Sequence, residues 1–126
     1  MVLDSSAVLA VLFEEPGADV VRQHVSGASL GVANLAEVLA KLGDRGVSAD
    51  HGVAAVDMLG MDIRPMTKSQ AILSAGMRGA TRNSGLSLAD RACLALAKEL
   101  GTSGLTADRQ CAAVADAVGV RVELIR

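Results

Sequence analysis

The sequence predicts an α/β fold, namely a three-layer α/β/α sandwich around a mainly parallel sheet. Short apolar segments typical of strands alternate with helical patterns along the chain, which is the order found in parallel sheets covered by helices. Hydrophobic residues make up 51% of the chain, yet Phe13 is its only aromatic residue, so the core has to be aliphatic, as in buried parallel sheets. A length of 126 residues suits one domain, which we expect to span residues 1–126.

The first half of the chain predicts three strands and four helices. An apolar start at residues 2–4 runs into a helix over 5–15, which Pro16 and Gly17 break. Gly43 and Gly60 mark the ends of two later helices. The segments after the first break are predicted as helix 18–25, strand 28–32, helix 33–42, helix 49–59 and strand 61–66.

The second half predicts three helices and two strands. Residues 67–82 have a helical pattern, which Gly76 and Gly79 weaken, and a loop follows at 83–85. Ser87 is placed to cap a helix over 88–100, whose small and apolar residues share one face. The chain ends with strand 103–106, helix 107–118 and strand 120–125.

Charge and composition exclude several classes of protein. Twelve Lys and Arg against fourteen Asp and Glu give a net charge of −2, unlike a protein that coats DNA. Without Trp or Tyr, the chain lacks the aromatic platforms on which single-stranded nucleic-acid-binding modules stack bases. The N-terminus has no cationic segment of a signal peptide, and its longest apolar run is far shorter than the roughly 20 residues that span a bilayer. We therefore expect a cytoplasmic protein.

Neither the cysteines nor the histidines predict a site. Cys93 and Cys111 lie in apolar helical patterns without a CxxC or a zinc-like spacing, so we interpret them as buried, reduced side chains. His24 and His51 fall in polar surroundings, and we expect both at the surface.

Four acidic residues lie near the beginnings of predicted helices: Asp4, Glu37, Asp90 and Asp108. Each has a structural explanation when it is taken alone. Asp4 can cap the helix that follows it, and the macrodipole favours Asp108 in a first helical turn. Glu37 and Asp90 lie three residues after Asn34 and Ser87, which is the spacing of a capping box.

The joint position of these acids nevertheless indicates a shared site. Asp4 and Asp108 fall just past the carboxyl ends of apolar strands, where open parallel sheets form ligand crevices, and Glu37 begins about a turn beyond another strand. Two carboxylates about 4 Å apart repel by roughly 4 kcal/mol at an effective dielectric of 20. A divalent cation removes this repulsion, and an all-oxygen site suits Mg²⁺ or Mn²⁺. Such an ion can activate water and stabilise charge on a phosphoryl group.

Other kinds of catalytic site are not evident. The sequence has no GxSxG, no convincing Cys/His pair, no P-loop and no GxGxxG. The chemistry that remains is metal-assisted hydrolysis of a phosphodiester.

With these residues in view, the chain resembles the PIN-domain ribonucleases, and most closely the VapC-type toxins of bacterial toxin–antitoxin pairs. Four segments carry the resemblance, in the family's order and over nearly the whole chain: MVLDSSA, VANLAEVLAKL, GLSLADRACLALA and LTADRQ. The resemblance implies a PIN-like fold. It also implies a catalytic quartet that binds Mg²⁺ or Mn²⁺, formed by Asp4, Glu37, Asp90 and Asp108.

The resemblance also implies supporting residues around the acids. Ser6 and Thr106 match hydroxyl positions that would hydrogen-bond the carboxylates or a metal-bound water. Helix capping by Ser6 and strand-end packing of Thr106 explain these residues equally well. Asn34 matches the family pattern, with an orienting role. Cys111 replaces an aromatic residue of many relatives, which puts substrate packing there in doubt. Asp116 fits a solvent-facing acid better than a fifth member of the acidic cluster.

For substrate and partners, the resemblance implies an endoribonuclease that cuts RNA to leave a 5′-phosphate and a 3′-hydroxyl. It implies a homodimer silenced by a cognate VapB-like antitoxin, and a mean hydropathy of +0.40 is consistent with apolar surface that such contacts would cover. Candidates for contacts with the RNA backbone are Arg78, Arg82, Arg91 and Arg109, although a solvated helix face explains them as well.

Two functions from other classes stay open at this point. An α/β domain with capping acids can be a protein-interaction module with little or no catalysis. A receiver-like phosphoryl-handling regulator is disfavoured, because it needs paired acids after the first strand and Asp4 is followed by Ser5 and Ser6. A haloacid-dehalogenase-like phosphatase would need a DxD at the same place.

Overall fold

The computed structural model of the protein describes residues 1–126 and contains eight α-helices around a sheet of five strands. The strands are β1 (Val2–Leu3), β2 (Ser29–Gly31), β3 (Asp62–Arg64), β4 (Gly104–Thr106) and β5 (Val122–Leu124). The helices are α1 (Ser5–Leu12), α2 (Ala18–Arg22), α3 (Val32–Asp44), α4 (Ala49–Asp57), α5 (Lys68–Gly76), α6 (Arg78–Thr81), α7 (Leu88–Leu100) and α8 (Arg109–Ala115). Short 3₁₀ turns at Arg82–Ser84 and Asp116–Val118 follow α6 and α8.

All five strands are parallel, in the order β3-β2-β1-β4-β5. Val2 of β1 pairs with Ser29 on one side and with Gly104 on the other, so β1 lies at the centre of the sheet. The chain adds β2 and β3 on one side of β1, then returns to add β4 and β5 on the other. This reversal creates the crevice at the carboxyl edge where doubly wound sheets bind ligands. The predicted α/β class with its parallel sheet is confirmed.

Two aliphatic cores cover the two faces of the sheet. Because successive strand residues point to opposite faces, Leu3 packs with Leu30 and Leu105 against α1 to α4, whereas Val2 joins the core formed by α7 and α8. The first core contains 16 buried residues and the second contains 12. Full burial of each such Leu or Val contributes roughly 1.5–3 kcal/mol, which fixes the positions of the strand ends.

Several predicted elements are longer than the observed ones: the helices predicted over 5–15, 18–25 and 107–118 span Ser5–Leu12, Ala18–Arg22 and Arg109–Ala115. Two further differences have a clear physical reason. The helix predicted over 67–82 is interrupted, because α5 ends at Gly76 and α6 begins at Arg78. The glycines have low helix propensity, and the Met77 carbonyl accepts from the hydroxyl of Thr81 at 2.8 Å as well as from its amide. The strand predicted over 61–66 is shorter because Pro65, which has no N–H to donate, follows Arg64.

Helix capping differs from the prediction at two of the four acids, because Asp108, predicted in a first helical turn, precedes α8, and Glu37 makes no capping box. Gly31 is the N-cap residue of α3 and makes no side-chain cap, so the capping box predicted for Asn34 and Glu37 is wrong. Both residues lie inside the helix, where their side chains are available for contacts with other elements. Asp4 caps α1 and Asp90 completes a capping box in α7, as predicted, and Asp108 is itself the N-cap of α8.

The cysteines and histidines lie in the surroundings that the sequence predicted. Cys93 and Cys111 are buried and free, and burial raises the pKa of both thiols well above its ordinary value, which makes them inert. His24 and His51 are exposed, as predicted. None of the helices combines the length and the apolar character that a membrane crossing requires.

Candidate metal centre

The four predicted acids line one cavity of about 320 Å³ at the carboxyl edge of the sheet. Asp4 follows β1 and Asp108 follows β4, while Glu37 and Asp90 reach the same cavity from α3 and α7. The central strands and the two helices that pack beside them therefore bring together residues that are up to 104 positions apart in the sequence.

Asp4 is the most buried of these acids, at 3% exposure, and it is the hub of a hydrogen-bond network. Its Oδ2 accepts from the Ser6 hydroxyl at 2.6 Å and from the Thr106 hydroxyl at 2.9 Å, and its Oδ1 accepts from Asn34 Nδ2 at 3.2 Å. All three supporting residues named from the sequence contact this one carboxylate. Three donors offset the cost of burying a charge, which fixes the position of Asp4.

The two hydroxyls also tie Asp4 to the loop that carries Asp108. Ser6 Oγ accepts from the amide of Ala107 at 2.9 Å, and Thr106 Oγ1 accepts from the amide of Asp108 at 3.0 Å. Since each hydroxyl donates to Asp4 and accepts from this loop, the ends of β1 and β4 are held in one register. The alternative explanation of Ser6 as a helix cap is wrong, because Asp4 is the N-cap of α1, whereas the buried Thr106 both packs at the strand end and supports Asp4.

Glu37 is positioned by a residue that the sequence analysis missed. The buried hydroxyl of Ser5 lies 3.0 Å from Glu37 Oε2 and accepts from Asn34 Nδ2 at 3.1 Å. The available signal was the first serine in DSS, since a serine buried at the start of a helix needs a hydrogen-bond partner.

The amide of Asn34 has its orientation set by charge. Nδ2 donates to both Asp4 and Ser5, whereas the fully buried Oδ1 has no hydrogen-bond partner. The reversed amide would place a carbonyl oxygen against the Asp4 carboxylate, which is electrostatically unfavourable. The unpartnered oxygen is therefore the cost of supporting Asp4.

Asp90 both caps α7 and faces the cavity. Its Oδ2 accepts from the Ser87 amide at 2.8 Å. Partial burial raises the pKa of the Asp90 carboxyl, as do the charges of Asp4 and Glu37, while the hydrogen bonds from Ser87 act in the opposite direction. The carboxylate is thus destabilised by its neighbours in the absence of a cation.

Three of the acids have one carboxylate oxygen held and the other without a hydrogen-bond partner. The Ser5 hydroxyl donates to Glu37 Oε2, and the backbone amide of Ser87 donates to Asp90 Oδ2. The backbone amide of Gln110 donates to Asp108 Oδ1 at 2.8 Å. The second oxygens have no donor within the chain and remain available as ligands. No three Asp, Glu, His or Cys side chains lie close enough, as they stand, to hold an ion directly. A fifth acid, Glu15, also lines the cavity and lies 3.5 Å from Arg126. The four acids without an ion pair repel each other, and an all-oxygen set of this kind fits a hard divalent cation, which removes that repulsion.

The basic residues of the cavity differ from those suggested by the sequence. None of the four arginines proposed for RNA contacts lines it: Arg78, Arg82, Arg91 and Arg109. Arg91 instead donates to the Leu86 carbonyl at 3.3 Å. The cations that line the cavity are Lys41, Arg45 and Arg126, and the ring of Phe13 lies among them.

Two further residues lie away from the cavity. Asp116 is exposed and does not line it, in agreement with the interpretation of a solvent-facing acid. Cys111 is 1% exposed and belongs to the second core. This position, where the resemblance predicted an aromatic side chain, is therefore part of the core and does not line the cavity.

Comparison with known proteins agrees with this architecture. The sequence model of the PIN domain matches residues 1–117. A toxin–antitoxin complex from Klebsiella pneumoniae contains a chain that is 14% identical, with a TM-score of 0.75 over 99% of this chain and 97% of that one. VapBC-1 from nontypeable Haemophilus influenzae gives 13% identity and a TM-score of 0.73 over 98% and 96% of the two chains. VapBC2 from Rickettsia felis, bound to a DNA fragment from the promoter, gives 11% identity and a TM-score of 0.71 over 98% and 96%. No curated protein matches the sequence.

Proposed function

Because this chain belongs to the PIN domain family, we propose that it is a metal-dependent endoribonuclease and the toxin of a VapBC-type toxin–antitoxin pair. The observation that carries the proposal is the gathering of four carboxylates around one cavity at the carboxyl edge of the sheet. Carboxylates placed in this way, in a cavity lined by no Cys or His and by Ser6 as its only hydroxyl, suit hydrolysis of a phosphodiester better than chemistry that needs a protein nucleophile.

The residues that would hold Mg²⁺ or Mn²⁺ are Asp4, Glu37, Asp90 and Asp108. The bound ion would supply an activated water and would offset the charge of the phosphate. The contribution of the chain itself is positioning: each acid has an oxygen held by a hydroxyl or an amide of the protein. Such supporting hydrogen bonds limit the rotation of the ligands, and the loss of one commonly lowers metal affinity 10- to 100-fold.

The proposed partners are a VapB-like antitoxin and a second copy of the chain. The similar folds come from toxin–antitoxin complexes, which supports a partner of the antitoxin class. Three apolar residues are exposed on α3, α5 and α7: Val32, Ile72 and Leu88. Since α3 and α5 both pack against α7, a homodimer would cover such residues. We place the protein in the cytoplasm, where its proposed RNA substrate is found.

Cleavage of total RNA tests the proposal. Wild-type protein is incubated with Mn²⁺ or Mg²⁺ and compared with an EDTA sample, with Asp90→Asn and with Asp116→Asn, an exposed acid outside the cavity. We expect defined cuts in the presence of metal, none with EDTA or Asp90→Asn, and wild-type cutting by Asp116→Asn. Sequencing of the cut ends would then identify the RNA. Folded wild-type protein that cuts no RNA with either metal would contradict the assignment, as would a fully active Asp90→Asn variant.

A further inference from the structure

The acidic cavity continues as a groove between α1 and α3. Ser6 and Leu9 of α1 line one side, followed by the C-cap residue Phe13. Glu37 and Lys41 of α3 line the other side, followed by the C-cap residue Arg45. Spacings of three and four residues place each set along a single side of its helix. At a rise of 1.5 Å per residue, the eight steps from Glu37 to Arg45 span about 12 Å. The groove is therefore longer than the binding of an ion alone requires.

A stacked pair lies at the end of the groove away from Asp4 and Glu37, where the only lining acid, Glu15, is paired with Arg126. The guanidinium carbon of Arg45 lies 3.6 Å from the centroid of the Phe13 ring, a close cation–π contact. Phe13 is the only aromatic residue of the chain, and it lies at the end of the helix that Asp4 begins. The guanidinium covers one face of the ring, so its outer flat side offers a nucleobase one stacking position, although the composition predicted no aromatic platform.

Two of the groove's cations have no anionic partner in the protein. Lys41 and Arg45 are exposed and form no ion pair, whereas Arg126 lies 3.5 Å from Glu15 and donates to the Pro16 carbonyl at 2.7 Å. A phosphate that approaches four carboxylates meets repulsion, and unpaired cations along the same groove lower that repulsion. Lys41 lies one helical turn from Glu37 and is thus the cation nearest along α3 to the acids.

From these contacts we propose that an unpaired nucleotide beside the scissile phosphate lies in the groove, with its base against the Phe13–Arg45 pair and its phosphate at Lys41. The inference rests on the proposed ribonuclease function. Stacking on protein side chains requires a base that is released from its own helix, so the groove selects single-stranded RNA over duplex RNA. Phe13, Lys41 and Arg45 are then substrate-positioning residues.

Binding measured apart from cleavage tests this assignment. Asp90→Asn protein is used with Mg²⁺ so that no strand is cut, and fluorescence anisotropy follows a fluorescein-labelled 20-nucleotide unstructured RNA, alone or annealed to its complement. Lys41→Gln, Arg45→Gln and Phe13→Leu are added in this background. Lys68→Gln, which removes an exposed cation outside the groove, is the matched control. Circular dichroism verifies that each variant is folded.

The variants are expected to separate charge from stacking. Lys41→Gln should weaken binding of the single strand and reduce the slope of log affinity against log salt by about 0.7, the value for one lost phosphate contact. Phe13→Leu should raise Kd by about fivefold or more without changing the slope, as expected for a lost stacking contact. Arg45→Gln should show both effects, and Lys68→Gln neither.

Three results would overturn the inference: unchanged Kd values in all groove variants, an equal loss in Lys68→Gln, or equal affinity for single strand and duplex. Failure of the ribonuclease proposal is distinguishable from these, because it would appear as absence of cutting by wild-type protein. Groove variants that weaken RNA binding would still support the groove assignment in that case.

Discussion

Asp90 and Ser87 hold each other at the head of α7. The Ser87 amide donates to Asp90 Oδ2 at 2.8 Å, and the Asp90 amide donates to Ser87 Oγ at 3.2 Å. This capping box leaves Asp90 Oδ1 without a donor at the wall of the acidic cavity. Helix capping and metal binding are thus two uses of one carboxylate, and the cap fixes the oxygen that would face an ion.

The first prediction concerns the stability of the metal-free protein. The pKa of Asp90 is raised in the folded state, mainly by burial and then by the charges of Asp4 and Glu37. The folded state therefore binds this proton more tightly than the unfolded state, and ionisation of Asp90 destabilises the fold as pH rises from the unfolded-state pKa through the folded-state pKa. Asp90→Asn should remove this loss and keep the cap, because the amide oxygen can still accept from Ser87.

Thermal unfolding in EDTA measures this effect. We expect the midpoint of Asp90→Asn to exceed that of wild type at pH 7 and the difference to shrink at pH 4. Ser87→Ala is the control for the cap itself and should lower the midpoint at pH 7, with a loss of about 1 kcal/mol, where Asp90→Asn raises it. A midpoint for Asp90→Asn that falls below wild type at pH 7 would contradict a strained carboxylate.

Asp4→Asn should behave differently because Asp4 is the hub of a buried network. The amide group would present a donor to Asn34, Ser6 or Thr106, all of which donate to the carboxylate. The mismatch of buried polar groups should lower the free energy of unfolding by about 1–3 kcal/mol. Chemical denaturation compares this loss with that of Asp108→Asn, whose carboxylate is less buried and should tolerate the change better. Equal stabilities of the two variants would show that the network contributes little.

Metal binding should raise the thermal midpoint of the wild-type protein. An ion that binds only the folded state stabilises it by about 2.7 kcal/mol at 100 times Kd. Differential scanning fluorimetry in Mn²⁺ or Mg²⁺ raised from zero to about 100 times Kd should show a saturable increase of the thermal midpoint. Glu37→Gln should reduce this increase because it removes one ligand. Asp116→Asn, outside the cavity, should keep the full shift. A shift of equal size in Glu37→Gln would remove Glu37 from the set of ligands.

The order of strands and helices could be predicted because local patterns determine it: apolar runs, Pro16 with Gly17, and the Ser87 cap. The break between α5 and α6 could not be predicted. It depends on the low helix propensity of Gly76 and Gly79 and on the hydrogen bond from the Thr81 hydroxyl to the Met77 carbonyl. In the candidate site, Asp4, Asp90 and Asp108 could be named because each begins a helix or follows a strand, and Glu37 because it lies about a turn beyond a strand. Ser5 and the Phe13–Arg45 pair could not, because their contacts join α1 to α3 across 32 residues.

Ser5 gives the last prediction, because its hydroxyl lies 3.0 Å from Glu37 Oε2 and supports a proposed ligand without lining the cavity. Ser5→Ala should weaken metal binding by about 10- to 100-fold, as loss of a supporting hydrogen bond does. Activity measured against metal concentration should therefore show a raised half-saturating Mn²⁺, with cleavage at saturating metal close to wild type. Ser74→Ala is the matched control, since Ser74 is equally buried, its hydroxyl has no hydrogen-bond partner and it lies outside the cavity. If Ser5→Ala and Ser74→Ala required the same metal concentration as wild type, the Ser5 hydroxyl would have no role in holding Glu37 for the ion.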